Sequence, residues 1–188
     1  MPAITLQQLL DSRDARHEMQ QQLMAQHPDC TLVCLTVVVP GSEKRNTQSL
    51  LIAHAAVEAL QQEFQPLPGH LLQRDLPTGY EAFLLTHLSY LEAKRRTCQI
   101  EEKHPLGRLF DIDVLDANGV PIPRQAIGLP PRQCLLCHNE ARFCMRNHTH
   151  SQEQLWQKIL QLTASYTDMG ASSSSTATTP ATANLPAL

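Results

Sequence analysis

No apolar run in this sequence approaches the roughly 20 residues that a bilayer-spanning helix needs, and its first residues lack the basic start and apolar stretch of a secretory leader. These absences argue against a membrane span and against export, so the expected location is the cytoplasm. A surplus of positive charge is also missing, the formal net charge being −3. Bulk capture of nucleic acid is thereby disfavoured, and an anionic ligand has to be met by a few local groups. There is no Ser-His-Asp or reactive-cysteine motif, so covalent catalysis through such a group has no support here.

What is present suffices for one core. With 42% hydrophobic residues in 188, a single compact domain is expected over residues 1–169. Residues 170–188 turn to Ala, Ser, Thr and Pro, a composition with nothing to bury, and read as a disordered tail. Six cysteines without an export signal favour thiols or metal ligands over a disulfide framework.

Thr5-Leu6-Gln7-Gln8 has the form of a capping box, with Ile4 and Leu9 placed as a hydrophobic staple, so a helix is expected from there to His27-Pro28. Its apolar positions, from Leu6 to Met24, are compatible with one face, and Arg13 and Arg16 are neighbours on its surface. Thr31 to Val39 is almost unbroken in apolar and β-branched residues, as expected of a central strand buried on both faces. Pro40-Gly41-Ser42 ends it, and a helix follows from about Asn46. A strand, a Gly-Ser turn and a helix start together offer free N–H groups to an anion, which makes Gly41 and Ser42 candidate phosphate contacts. Strands near His70–Arg74 and Glu81–His87, a helix ending near Lys103, and a last helix from Gln152 to about Tyr166 complete the outline.

The most informative stretch is His104-Pro105-Leu106-Gly107-Arg108-Leu109-Phe110-Asp111-Ile112-Asp113-Val114-Leu115. From Leu109 it reads as a strand, in which Phe110, Ile112 and Val114 share one face and Asp111 and Asp113 the other. The Cα atoms of the two acids would lie roughly 6–7 Å apart, so both carboxylates could hold one hard divalent cation, Mg²⁺ or Mn²⁺. Gly107 permits close backbone approach to a ligand, and Arg108 can grip phosphate oxygens. His104 titrates near neutrality and, with Asp116, is a candidate proton acceptor. The plainer account of Asp-x-Asp by itself is a solvated strand face. Asp116-Ala117-Asn118-Gly119 predicts a type I′ hairpin, with a short return strand because of Pro121 and Pro123.

Cys134-Leu135-Leu136-Cys137, then Cys144 and His150, has the spacing of a zinc knuckle and supplies the four thiolate or imidazole ligands that tetrahedral zinc requires. The same cysteines also read as inert thiols.

The wording His-Pro-Leu-Gly-Arg-Leu-Phe-Asp-Ile-Asp-Val resembles the signature of the citrate lyase holo-acyl-carrier-protein synthases, which are phosphoribosyl-dephospho-CoA transferases with a sister group serving malonate decarboxylase. Leu10-Asp11-Ser12-Arg13-Asp14-Ala15-Arg16 resembles the family's opening motif, and Leu129-Pro130-Pro131-Arg132 extends the likeness through the cysteines. The resemblance implies that triphosphoribosyl-dephospho-CoA is the donor and that a serine of the citrate lyase acyl-carrier subunit is the acceptor. Nucleic acid and membrane are not expected partners. On this reading Asp111 and Asp113 hold magnesium, Arg108 steadies the departing diphosphate, and Gly107, Arg13, Arg16, Gly41 and Ser42 are candidate substrate contacts. The expected fold is α+β, a central mixed sheet with flanking helices, loosely nucleotidyltransferase-like because Gly41-Ser42 resembles the turn preceding the acidic strand in such folds. The rival readings are the malonate decarboxylase counterpart and a non-catalytic zinc-knuckle adaptor for a carrier protein or RNA.

Overall fold

The computed structural model describes residues 4–37 and 39–174. Helix α1 (Leu6–Gln26) begins at the expected capping box: Gln8 N donates to Thr5 Oγ1 at 3.2 Å and Thr5 N to Gln8 Oε1 at 2.9 Å. Its apolar residues do not form one buried face. Leu6 is 73% exposed, and only Met19, Leu23 and Met24, near its C-terminal end, pack on the domain.

The remaining elements run β1 (Thr31–Val37), α2 (Thr47–Phe64), β2 (Leu71–Leu76), β3 (Gly79–Thr86), α3 (Tyr90–Lys103), β4 (Phe110–Val114), α4 (Ala141–Arg146) and α5 (Gln152–Ser174). The first residues of the expected tail continue α5, and 175–188 lie outside the described residues. No helix among the described residues is long and apolar enough to cross a membrane.

The sheet order is β2-β3-β1-β4, and every neighbouring pair is antiparallel. This α+β fold therefore corrects the expected mixed sheet. Strands joined through α2 and through α3 are parallel to each other, yet each crossover skips one strand, so parallel strands never pair. The β-α-β-β-α-β sequence with this order is that of a ferredoxin-like, split-βαβ unit. As its apolar run predicted, β1 is central.

One sheet face, with Val33, Leu35, Tyr80, Leu84, Phe110, Ile112 and Val114, packs against α2, α3 and α5 in the main core. Helix α2 approaches closely because its inner face is small, with Ala53, Ala55 and Ala56 beside Ile52 and Leu60. Each fully buried large side chain here contributes about 1.5–3 kcal/mol of transfer free energy.

Strand β4 is an edge, and its outward backbone groups are met by side chains. Lys94 Nζ donates to Ile112 O at 3.4 Å, Ile112 N donates to Glu101 Oε1 at 3.3 Å, and Arg132 donates to Phe110 O at 2.6 Å. Further on, Ile122 N donates to Val114 O at 2.8 Å. These contacts blunt an otherwise open edge.

The turn after β4 is wider than the expected type I′ pair, which would need Asn118 at positive φ. Among the described residues, only Gln65 and His148 are non-glycines at positive φ. Gly119 takes that conformation at +76°, while Asp116 Oδ1 accepts from Asn118 N and Val120 N at 2.9 and 2.8 Å. Asp116 is thus occupied in shaping the turn.

Candidate active site

The second sheet face is built as three cross-strand rows. Phe83, Cys34 and Asp113 form one, with the apolar Leu85, Leu32 and Leu115 on one side and Glu81, Thr36 and Asp111 on the other. Helix α1 crosses this face and matches the gradient: Met19, Leu23 and Met24 cover the apolar end. Toward the polar end Gln20 Nε2 reaches Cys34 Sγ at 3.4 Å, Arg16 pairs with Glu81 at 3.3 Å, and Ser12 bonds Thr78 at 2.8 Å. The polar residues of α1 are therefore contacts to a polar sheet surface, which is why its apolar stripe is short.

Strand alternation brings Asp111 and Asp113 to the same open face, as their spacing predicted. Thr36 Oγ1 donates to Asp111 Oδ2 at 3.3 Å, and Arg132 Nη1 lies 3.6 Å from Asp111 Oδ1. Although Asp113 has exposed surface, crowding by protein atoms and then the Asp111 charge push its carboxyl above the ordinary Asp range, against Lys94, Arg16 and Arg142. Two hard oxygen donors that repel each other on an accessible face fit a magnesium or manganese ion.

A stability consequence follows from the direction of that shift. A carboxyl raised in the folded state favours folding when protonated and opposes it once ionised, so its penalty grows as pH rises from the unfolded value of about 3.9. Without divalent cation, Asp113→Asn is expected to raise the melting temperature at pH 7 and leave it nearly unchanged below about pH 3.5. Melting temperatures across pH, measured in chelator, check this.

Beside the acids, at the start of β4, Arg108, Arg124 and Arg132 line a cleft of about 240 Å³ with Glu101, Glu102 and Gln133. Burial, followed by the Arg132 and Arg124 charges, pushes the Arg108 guanidinium below its usual value. An anion entering here would relieve that crowding. Arg132 belongs to both parts of the site, since it approaches Asp111 and also donates to Arg108 O at 2.8 Å. Its placement, and those of Arg124, Glu81, Thr36 and Arg74, whose Nε lies 3.8 Å from Glu81 Oε2, escaped sequence reasoning because each reaches the site only through tertiary pairing. The one cue was Arg132 in Leu-Pro-Pro-Arg.

The other sequence candidates are distributed as follows. Arg108 Nη2 donates to the carbonyls of Gln133 and Cys134 at 2.6 and 2.9 Å, so it fastens the following segment while lining the cleft. Gly107 makes a close approach to the protein's own backbone: a Cβ there would lie 2.5 Å from Glu101 O and 2.6 Å from Ile100 O. Gly107→Ala must displace the end of α3, and an expected loss of about 1–3 kcal/mol in urea unfolding tests this.

His104 lies apart from the acids. It caps α3, its Nδ1 accepts from Leu106 N at 3.0 Å, and its ring sits 4.9 Å from that of Phe110, on the main-core face. Burial lowers its pKa, opposed by Glu58. Arg16 joins the polar face, whereas Arg13 is exposed without a hydrogen-bond or ion-pair partner among the described residues. Gly41 has φ +81° and faces Gln152 of α5, and Ser42 O accepts from Ile4 N at 3.0 Å. Neither is at a helix start, because Asn46 is the cap of α2, with Ser49 N donating to its Oδ1 at 2.9 Å. The first-turn anion site expected at Gly41-Ser42 is thereby corrected.

The cysteine-rich segment follows the cleft directly. Cys134, Cys137, Cys144 and His150 each turn one donor atom toward a common point, and these atoms all lie within 4.8 Å of one another. All six cysteines are free thiols, and burial pushes the Cys34 thiol up to about 12.

A family profile described as apo-citrate lyase phosphoribosyl-dephospho-CoA transferase matches residues 4–166. A Vibrio cholerae (strain M66-2) protein named "Probable apo-citrate lyase phosphoribosyl-dephospho-CoA transferase" is 37% identical over 168 residues, covering 87% of this chain and 94% of its own. One of the same name from Streptococcus pyogenes serotype M18 is 35% identical over 177 residues, covering 92% of each chain. An Escherichia coli O1:K1 protein named apo-citrate lyase phosphoribosyl-dephospho-CoA transferase is 35% identical over 161 residues, covering 84% of this chain and 87% of its own.

Proposed function

This chain belongs to the apo-citrate lyase phosphoribosyl-dephospho-CoA transferase family, and on that premise we propose that it is a nucleotidyltransferase for the citrate lyase carrier. It moves 2′-(5″-phosphoribosyl)-3′-dephospho-CoA from its triphosphate donor to a serine hydroxyl of the apo acyl-carrier subunit and releases diphosphate. The supporting observation is the pairing of an open two-carboxylate face with a three-arginine cleft, joined through Arg132. The family description names citrate lyase, which favours that carrier over a malonate decarboxylase one. The six free thiols support a cytoplasmic setting.

The acceptor oxygen forms a bond to the α-phosphorus while the bond to diphosphate breaks, and charge accumulates on the departing oxygens. Arg108, Arg124 and Arg132 meet that charge in the cleft. Asp111 and Asp113 would hold Mg²⁺ or Mn²⁺, which when bound neutralises triphosphate charge. Thr36 and Arg132 keep the Asp111 carboxylate oriented. The serine proton leaves to solvent as the new bond forms, since His104 Nδ1 is engaged by Leu106 N on the opposite face and Asp116 Oδ1 by the turn after β4.

Diphosphate release provides the test. Release should require donor, Mg²⁺ and apo carrier together; release at the same rate without carrier would mean hydrolysis and would overturn the transfer reading.

A further inference from the structure

The cysteine-rich segment supplies no reacting group to the chemistry above, yet four of its side chains bring their donor atoms together. Cys137 Sγ lies 3.5 Å from Cys144 Sγ and 3.3 Å from His150 Nε2. A disulfide would bring two sulfurs to about 2.05 Å. Tetrahedral zinc, with Zn–S bonds of about 2.3 Å, spaces its sulfurs about 3.8 Å apart. The observed spacing belongs to the second arrangement.

Local structure aims each donor. Cys134 N donates to Asn139 O at 2.7 Å and Leu136 N approaches Cys134 Sγ at 3.5 Å, closing a tight knuckle around the first two thiols. Helix α4 delivers Cys144 as a buried residue, and Thr149 N then donates to Cys144 O at 3.1 Å. His148, at φ +47°, reverses the chain so that His150 returns to the thiols.

Apart from the Arg108 contacts and a few backbone hydrogen bonds, the segment has little of its own to hold it. Helix α4 has six residues, whereas isolated helices below about 12–15 are marginal in water. Its large apolar residues point outward, with Phe143 53% and Met145 70% exposed. Of its hydrophobic side chains outside the cysteine cluster, Leu135 packs on the main core. A fold without a core of its own needs another source of cohesion, and small domains commonly use a metal.

We propose that Cys134, Cys137, Cys144 and His150 bind one structural Zn²⁺, and that this ion holds the segment carrying the anchor of Arg108. Three thiols lose their protons to solvent as three Zn–S bonds form, while His150 binds through neutral Nε2. The completed site carries a net charge of −1. With all four positions filled by protein, no coordination place is left for substrate. Cys134 is the link to the cleft, because its carbonyl and that of Gln133 receive the Arg108 guanidinium. This inference stands apart from the proposed transfer reaction.

The test uses the full chain, purified without chelator. Elemental analysis should find about one zinc per chain, and thiol modification should release it to a chromophoric chelator. Cys137→Ser and His150→Ala should each lower zinc content to below about 0.2 per chain, while Cys30→Ser, remote from the cluster, should keep it. Cobalt-exchanged wild-type protein should show the intense visible bands of a tetrahedral thiolate site, a readout that survives if a variant fails to fold. Zinc below about 0.2 per chain in wild type, zinc retained by both variants, or a six-coordinate cobalt spectrum would each overturn the assignment.

Discussion

Replacing Asp111 and Asp113 together by Asn is expected to lower carrier modification by at least about 100-fold, with circular dichroism and unfolding midpoint at or above those of the wild type. The combination is diagnostic. A strand face that was merely solvated would lose neither activity nor stability when two exposed acids became amides. Here the carboxylates repel each other, and crowding already raises the Asp113 carboxyl, so removing charge should relieve the fold while abolishing the cation site. Initial rates over a range of Mg²⁺ concentrations would show whether activity returns at high metal. Retention of more than about half the wild-type rate would detach the acids from the reaction.

Glu101→Ala is expected to cost about 3–5 kcal/mol, the largest stability effect foreseen for a single residue. Glu101 is 6% exposed and accepts from Ile112 N, while Arg124 Nη1 lies 3.0 Å and Arg132 Nη1 3.7 Å from its carboxylate. Lys94, also buried, borders the same group through Ile112 O. Truncation leaves a buried ammonium and two guanidiniums without their shared counter-charge and an edge N–H without an acceptor. Burial, outweighing Arg132, Ile112 N, Lys94 and Arg124, pushes the Glu101 carboxyl above the ordinary Glu range. Glu101→Gln, which keeps the acceptor and discards a charge that burial disfavours, should therefore cost much less than Ala. Urea denaturation of both variants checks the order, and equal losses would contradict it.

The sequence revealed what depends on local periodicity and local chemistry. The alternation of Phe110, Asp111, Ile112 and Asp113 placed apolar and acidic residues on opposite faces, and the capping box at Thr5 located the start of α1. Cys134, Cys137, Cys144 and His150 also came together as their spacing predicted. What stayed hidden depends on partners distant in the chain. Gly107 read as an opening for ligand because nothing nearby in sequence shows that it abuts the carbonyls of Ile100 and Glu101. Likewise, nothing near Lys94 and Glu101 in the sequence shows that they serve the edge of β4 in place of another strand. His104 is near Asp111 along the chain but follows Phe110 to the opposite side of the sheet. The strand order escaped for the same reason, since crossovers that skip a strand leave no local mark.

The most direct measurement is the intact mass of the apo carrier subunit after incubation with this protein, the triphosphate donor and Mg²⁺. A gain equal to one phosphoribosyl-dephospho-CoA group, absent when the acceptor serine is replaced by alanine and suppressed in the Asp111→Asn, Asp113→Asn protein, is the predicted result. A carrier of unchanged mass, or one modified equally well by the doubly substituted protein, would contradict the account.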